Sequence, residues 1–206
     1  MAGTSPAMTV MERAWHSAAM DSQAQALLEF WFGDADEARE IWFKRDPAFD
    51  AALGERFGAL CPRALGGALD GWAETAPGSL ALVLLLDQLP RNLNRGAAAA
   101  FASDTKARAV ARHAVAQGFD RELPPLRRQF LYLPFEHSES LADQEESVRL
   151  FASLPKGTLR DQCVDYAQRH HAIVARFGRF PHRNRALARP STQEEEDFLK
   201  EPGSSF

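Results

Sequence analysis

Residues 80–92 read Leu80-Ala81-Leu82-Val83-Leu84-Leu85-Leu86-Asp87-Gln88-Leu89-Pro90-Arg91-Asn92, and this stretch decides the fold. Seven consecutive apolar residues leave no polar face, so a helix over residues 80–86 has to be covered on every side. It is the expected central helix. A run of seven falls far short of the roughly 20 residues a bilayer requires, so it reads as core and not as a membrane span. The stretch then turns polar without leaving the interior. Asp87, Arg91 and Asn92 are delivered from the most buried element, where each needs a partner.

Working outward, Ser22 with Gln25 forms a capping-box start for a helix carrying Leu27, Leu28, Trp31 and Phe32, with Gly33 as its stop. Asp34 and Asp36 are expected to cap a short second helix through Ile41, Trp42 and Phe43. Asp46 with Pro47 marks the N-cap and first residue of a third, whose stripe of Phe49, Leu53, Phe57 and Leu60 is bent by glycines such as Gly58 and interrupted by Pro62. Beyond the central helix, Asp104 is expected to cap a helix ending at Gly118. Pro124 and Pro125 open another, with Leu126, Phe130, Leu131 and Leu133 as its apolar side, closing at Pro134. Ser140 with Asp143 repeats the capping-box pattern ahead of Val148, Leu150, Phe151 and Leu154. The longest pattern, residues 159–177, places Cys163, Tyr166, His170, Ile173, Val174 and Phe177 on one face, and Ser191 with Glu194 starts a short acidic helix. Alternating β-branched runs with hairpin turns are absent. The class is all-α, about eight to ten helices joined by short Pro/Gly turns, most simply stacked antiparallel helical pairs.

With 206 residues, 45% of them hydrophobic, the chain fits one compact domain, taken as residues 22–206, preceded by a disordered leader over residues 1–21 that lacks a periodic apolar face. A net charge of -4 argues against a general nucleic-acid binder, which needs a basic face to neutralise phosphates. No membrane association is expected. Cys61 and Cys163 form no C-x-x-C pair and read as two buried thiols in a reducing cytoplasm. Nothing in the pattern asks for a cofactor or a thiolate metal site.

Two stretches carry the chemistry. Residues 133–144, Leu-Pro-Phe-Glu-His-Ser-Glu-Ser-Leu-Ala-Asp-Gln, pack Glu136, His137, Glu139, Asp143 and Gln144 between apolar helical patterns. Residues 176–184, Arg-Phe-Gly-Arg-Phe-Pro-His-Arg-Asn, supply Arg176, Arg179, His182, Arg183 and Asn184 around a bend set by Gly178 and Pro181. Each has an excess of the charge the other lacks, so they are expected to meet, with Arg179 or Arg183 within reach of Glu136, Glu139 or Asp87, and His137 or His182 lining the same cavity. The acids admit a metal site, an acid/base site using Glu136 or His137, or a structural and ligand-holding network; no H-E-x-x-H spacing selects the first. The arginines admit an anion site or simple neutralisation of those acids. His170 reads as a core histidine satisfied by hydrogen bonding or as a ligand, and Ser138, with no nucleophile elbow around it, as a cap or turn.

The segments LVLLLDQLPRN (82–92), YLPFEHSESLADQ (132–144) and RFGRFPHRN (176–184) resemble the bacterial family catalogued as domain of unknown function 924. The likeness extends to Phe30-Trp31-Phe32-Gly33, Ala100-Phe101-Ala102-Ser103-Asp104, His170 and Arg189-Pro190-Ser191-Thr192, and spans residues 26–199. It implies a tetratricopeptide-like α-α superhelix in a cytoplasmic bacterial protein, with no assigned mechanism. The sequence itself shows no 34-residue repeat. Two departures stand out: Leu89 where Phe is usual, and Leu187-Ala188-Arg189 in place of Leu-Gly-Arg. Two functions stay open. One is a binding module with a charged Glu/His/Arg pocket for an anionic small molecule, a peptide or a protein partner. The other is a hydrolase-like or metal-assisted enzyme with Glu136 and His137 as acid and base.

Overall fold

The computed structural model describes residues 21–33, 38–42 and 44–204, and every regular element among them is helical. Helices α1 (Ser22–Phe32), α2 (Pro47–Phe57) and α3 (Leu60–Leu65) lead through a 3-10 turn (Asp70–Glu74) into the organising element. This runs unbroken through α4 (Ala76–Val83), a π-turn (Leu84–Gln88) and α5 (Leu89–Leu93). All seven residues from Leu80 to Leu86 are 0% exposed, as an all-apolar helix requires. At about 1.5–3 kcal/mol per buried aliphatic side chain, this one segment is a large part of the folding drive. Gly78 lets it sit close, because a Cβ there would stand 2.2 Å from the Trp72 carbonyl oxygen.

The central element is enclosed by α1, by α6 (Asp104–Gln117) and by α8 (Pro125–Glu136), with the short α7 (Phe119–Glu122) between the last two. Further on, α9 (Leu141–Ala152) packs on α8, and the 20-residue α10 (Thr158–Phe177) packs on α9. A 3-10 turn (Pro181–Arg183) and α11 (Gln193–Phe198) close the chain, and Phe198 packs tilted against Phe177 beside a small second cluster of Ile173, Val174 and Phe180.

The π-turn follows from the sequence. Pro90 brings no N–H and its ring crowds the carbonyl one turn back, so the ordinary ladder cannot continue through it. The helix answers with a wider turn closed by Leu89 N–H on the Leu84 carbonyl, and the Ser103 hydroxyl donates to the Leu86 carbonyl at 2.5 Å. Asp87 lies within that widened turn, the kind of irregularity that recurs at functional sites.

Several expected boundaries move. Asp21, not Ser22, caps α1, accepting from Gln23 N–H at 2.8 Å, while the Gln25 side chain donates to Glu29. The expected second helix is a 3-10 turn over Glu40–Trp42; its proposed caps Asp34 and Asp36, and Phe43, lie outside the described residues, as do residues 1–20 of the expected leader. Helix α8 runs through Pro134 to Glu136, two residues past the expected close, and gives up at Pro134 the one bond that its missing N–H would have made. Ser140 is N-cap to α9 without a side-chain cap bond, since Asp143 is drawn to Ser138 and two arginines instead. Thr192 rather than Ser191 caps α11 in a full capping box with Glu195. Tyr166 is 52% exposed, displaced from the buried stripe by Ala167, which continues Cys163 at i+4 and precedes His170 at i+3.

Candidate functional site

Asp87 is the centre of a polar cluster to which the central element, α6, α8, α9, α10 and the 3-10 turn at Pro181–Arg183 contribute. Its side chain is wholly enclosed and meets His137 Nδ1 at 2.8 Å and 3.0 Å, Arg91 Nη1 at 3.1 Å, and the Gln88 amide, which donates at 2.6 Å. Burial alone would raise this carboxyl, but Arg91, then His137 and Gln88, more than offset it and hold the acid well below the usual carboxylate range. His137, C-cap of α8, has its imidazole pushed down by burial and by Arg91, against the opposing pull of Asp87. The pair is therefore an anionic carboxylate and a neutral imidazole. Facing a carboxylate through Nδ1, that ring carries its proton on Nδ1 and keeps the lone pair on Nε2.

Two guanidiniums sit beside the pair. Arg91 forks onto Asp104 at 2.9 Å and 3.0 Å, a bidentate geometry. Arg183 is held between two rings, its guanidinium carbon 4.7 Å from the Phe101 centroid and 4.5 Å from that of Phe180. Its ion-pair contact, Nη1 to Asp104, is 3.5 Å long, and its buried Nε has no hydrogen-bond partner. Burial, then the charge of Arg91, lowers Arg183 to about 10, so it stays protonated at neutral pH with its charge poorly met.

Around these charges stand neutral titratable groups. Glu136, the last residue of α8, is buried, and burial followed by the charge of Asp87 pushes its carboxyl up to about 8. His170 Nδ1 lies 2.9 Å from the Tyr166 carbonyl and 3.7 Å from Glu136 Oε1, and burial depresses the ring to about 3. Burial and then Arg183 lower His182 to about 4. The rings form a chain, with centroids 6.4 Å apart for His137 and His170, 5.6 Å for His170 and Phe180, and 5.5 Å for Phe180 and His182. Gln144 fixes the floor, donating at 2.6 Å to the carbonyls of both Glu136 and Ser138.

The two motifs meet, but through other pairs than the charges alone suggest. Glu139 takes both Arg189 (2.7 Å and 2.9 Å) and the Phe180 N–H (2.9 Å), and this tie draws residues 133–144 and 176–184 together. Arg179 turns away from Glu136, Glu139 and Asp87 to Glu195, at 2.6 Å and 2.8 Å, and Arg183 goes to Asp104. Asn184 braces the same strap, donating to Ser191 and Glu195 and accepting from Arg189. Asn92 leaves the cluster for Asp50 on α2, and Asp143 for Arg108, Arg112 and Ser138. Asp104, Phe101, Arg189 and Glu195 are site or strap residues that the sequence reading missed. The available signal was the surplus of arginines over acids in the second motif.

Among the described residues no three His, Cys, Asp or Glu side chains converge as a metal site, and no helix is long and apolar enough to cross a membrane. Two shallow depressions, about 260 Å³ beside Arg160 and Asp161 and about 300 Å³ beside Gln23 and Arg56, lie away from the cluster. Chemically the cluster can do two things. It can set an anion against Arg183, and it can move protons on His137.

A family model described as "bacterial protein of unknown function (DUF924)" matches residues 27–203. A solved structure of a protein of unknown function from Agrobacterium tumefaciens is similar at 41% identity and a TM-score of 0.78, covering 87% of this chain and 97% of its own. No curated protein matches the chain.

Proposed function

The chain belongs to this family of bacterial proteins of unknown function, and from that premise we propose that it is a binding protein for a small anionic molecule, or the acidic end of a peptide or protein partner. The ligand's carboxylate or phosphate group is taken by Arg183, with Arg91 and His137 beside it. One observation carries this reading: a guanidinium almost wholly removed from water, pressed between Phe101 and Phe180, with its Nε unpartnered and its acid at 3.5 Å already forked by Arg91. A buried cation so poorly matched costs free energy that an incoming anion recovers. Two unpaired thiols, Cys61 and Cys163, fit action in the cytoplasm.

Thermal unfolding against sulfate, phosphate, acetate and citrate at constant ionic strength tests the reading, because a ligand that binds only the native state raises Tm saturably. At least one anion is expected to do so in the native protein and to lose the effect in Arg183→Gln. A panel without saturable shifts, or the same shift in the variant, rejects it.

A second reading is supported by the Asp87–His137 pair. A carboxylate that fixes the imidazole tautomer and leaves Nε2 basic is the arrangement of a general base, so the same site suits a hydrolase-like enzyme acting through His137, with Glu136 as an acid.

A further inference from the structure

We infer that anion binding at this cluster is coupled to proton uptake, the His137 imidazole taking the proton between the Asp87 carboxylate and the arriving anion. This rests on the anion-binding reading above and adds its regulation by pH.

His137 is surrounded on every side by groups that set its charge. Glu136 precedes it on α8, and Glu139 follows in the next turn, tied to Arg189. The central element contributes Asp87 and Arg91, and Asp104 at the start of α6 meets both Arg91 and Arg183. Helix α10 contributes His170, and the 3-10 turn contributes His182 and Arg183. Among these, Asp87 favours an imidazolium while Arg91, Arg183 and burial oppose it. An anion seated on Arg183 cancels the opposing field and adds its own attraction, so the balance at His137 turns toward the charged form.

The hydrogen-bond chemistry points the same way. With Nδ1–H committed to Asp87, neutral His137 offers only a lone pair at Nε2, and a lone pair repels an anion. Protonation converts that acceptor to a donor. The neighbours are poorer candidates for the proton. Glu136, at about 8, already carries one at neutral pH, and His170 Nδ1 meets the Tyr166 carbonyl where His137 Nδ1 meets the Asp87 carboxylate.

Sulfate is the suitable probe because it keeps both charges across the neutral range, so every proton taken up comes from the protein. Isothermal titration calorimetry with sodium sulfate at pH 7 is run in bis-Tris, imidazole and Tris, which bear no anionic group and differ in ionisation enthalpy. The heat is expected to rise with buffer ionisation enthalpy with a slope approaching one proton per sulfate, and affinity to weaken toward a limit of about tenfold per pH unit on the alkaline side. His137→Asn, which keeps a donor toward Asp87 but cannot titrate, should bind sulfate with a slope near zero. Sulfate binding to the native protein with no buffer dependence overturns the coupling and leaves the anion site standing. A slope unchanged in His137→Asn overturns the assignment to His137, and the absence of any binding heat overturns the anion-binding reading itself. If the variant does not fold, the His137 ring-proton NMR titration decides. Its midpoint should rise when sulfate is added, and an unmoved midpoint refutes the inference.

Discussion

Glu136→Gln should remove a loss of stability that the native protein suffers as pH rises from 6.5 to 8. Burial holds this carboxyl at about 8 in the folded chain, against 4.5 for a free glutamate. Between those values the unfolded chain has lost a proton that the native chain keeps. Rising pH therefore favours the unfolded state, and the loss stops once the native carboxyl also ionises. The imidazoles act in the opposite sense at lower pH. His170 and His182, depressed to about 3 and 4, contribute stability that grows as pH climbs until the unfolded imidazole, with its ordinary value of about 6.5, has lost its proton near pH 8, and His137 moves in the same sense. Cys61 and Cys163, raised to about 11 and 12, add a decline only where an unfolded thiol ionises, above about pH 8.5. The imidazole contributions are common to the native protein and to Glu136→Gln, so the difference between the two isolates Glu136, and integrating its proton difference from pH 6.5 to 8 gives a loss of about 1.5 kcal/mol relative to the variant. Urea unfolding followed by tryptophan fluorescence at fixed ionic strength measures it. A native profile that runs parallel to that of Glu136→Gln across this window refutes a buried, protonated Glu136.

Ala188 takes the left-handed C′ position of a Schellman turn, with φ 52° and the Arg189 N–H on the Asn184 carbonyl at 2.8 Å, so Ala188→Gly should raise stability by about 0.5–1 kcal/mol in the same urea assay. Leu85→Ala, at the centre of the enclosed helix, should cost about 2–5 kcal/mol, and native-state hydrogen exchange should be slowest across residues 80–86. A double-mutant cycle of Arg179→Gln with Glu195→Gln should show coupling, while Arg179→Gln with Glu136→Gln should be additive, because the first pair shares two hydrogen bonds and the second shares none.

Helices were legible in the sequence wherever an apolar period met a capping residue. The seven apolar residues at 80–86 could be placed nowhere but the centre, and Gly118 and Gly178 end their helices in the left-handed conformation their positions suggested. Ends slipped where neighbouring residues offered equivalent caps, as with Asp21 beside Ser22 and Thr192 beside Ser191. In the second case the choice falls to Glu195, which is pinned by Arg179 and Asn184 from another part of the chain. Pairings within the site were not legible for the same reason. Asp104 has the spacing of a helix cap, and only the tertiary fold shows its carboxylate turned to Arg91 and Arg183. Arg179 and Arg183 straddle the turn at Pro181, and so face different acids despite their nearness in sequence.

The central claim, that the cluster around Arg183 receives an anion, is tested most directly by a crystal structure of the protein grown with sodium selenate, whose selenium is located by anomalous scattering. An anomalous peak is expected within hydrogen-bonding distance of the Arg183 guanidinium and beside His137, with Phe101 and Phe180 still flanking the arginine. Selenate bound only at surface arginines, with the Arg183 site empty at saturating concentration, would contradict it.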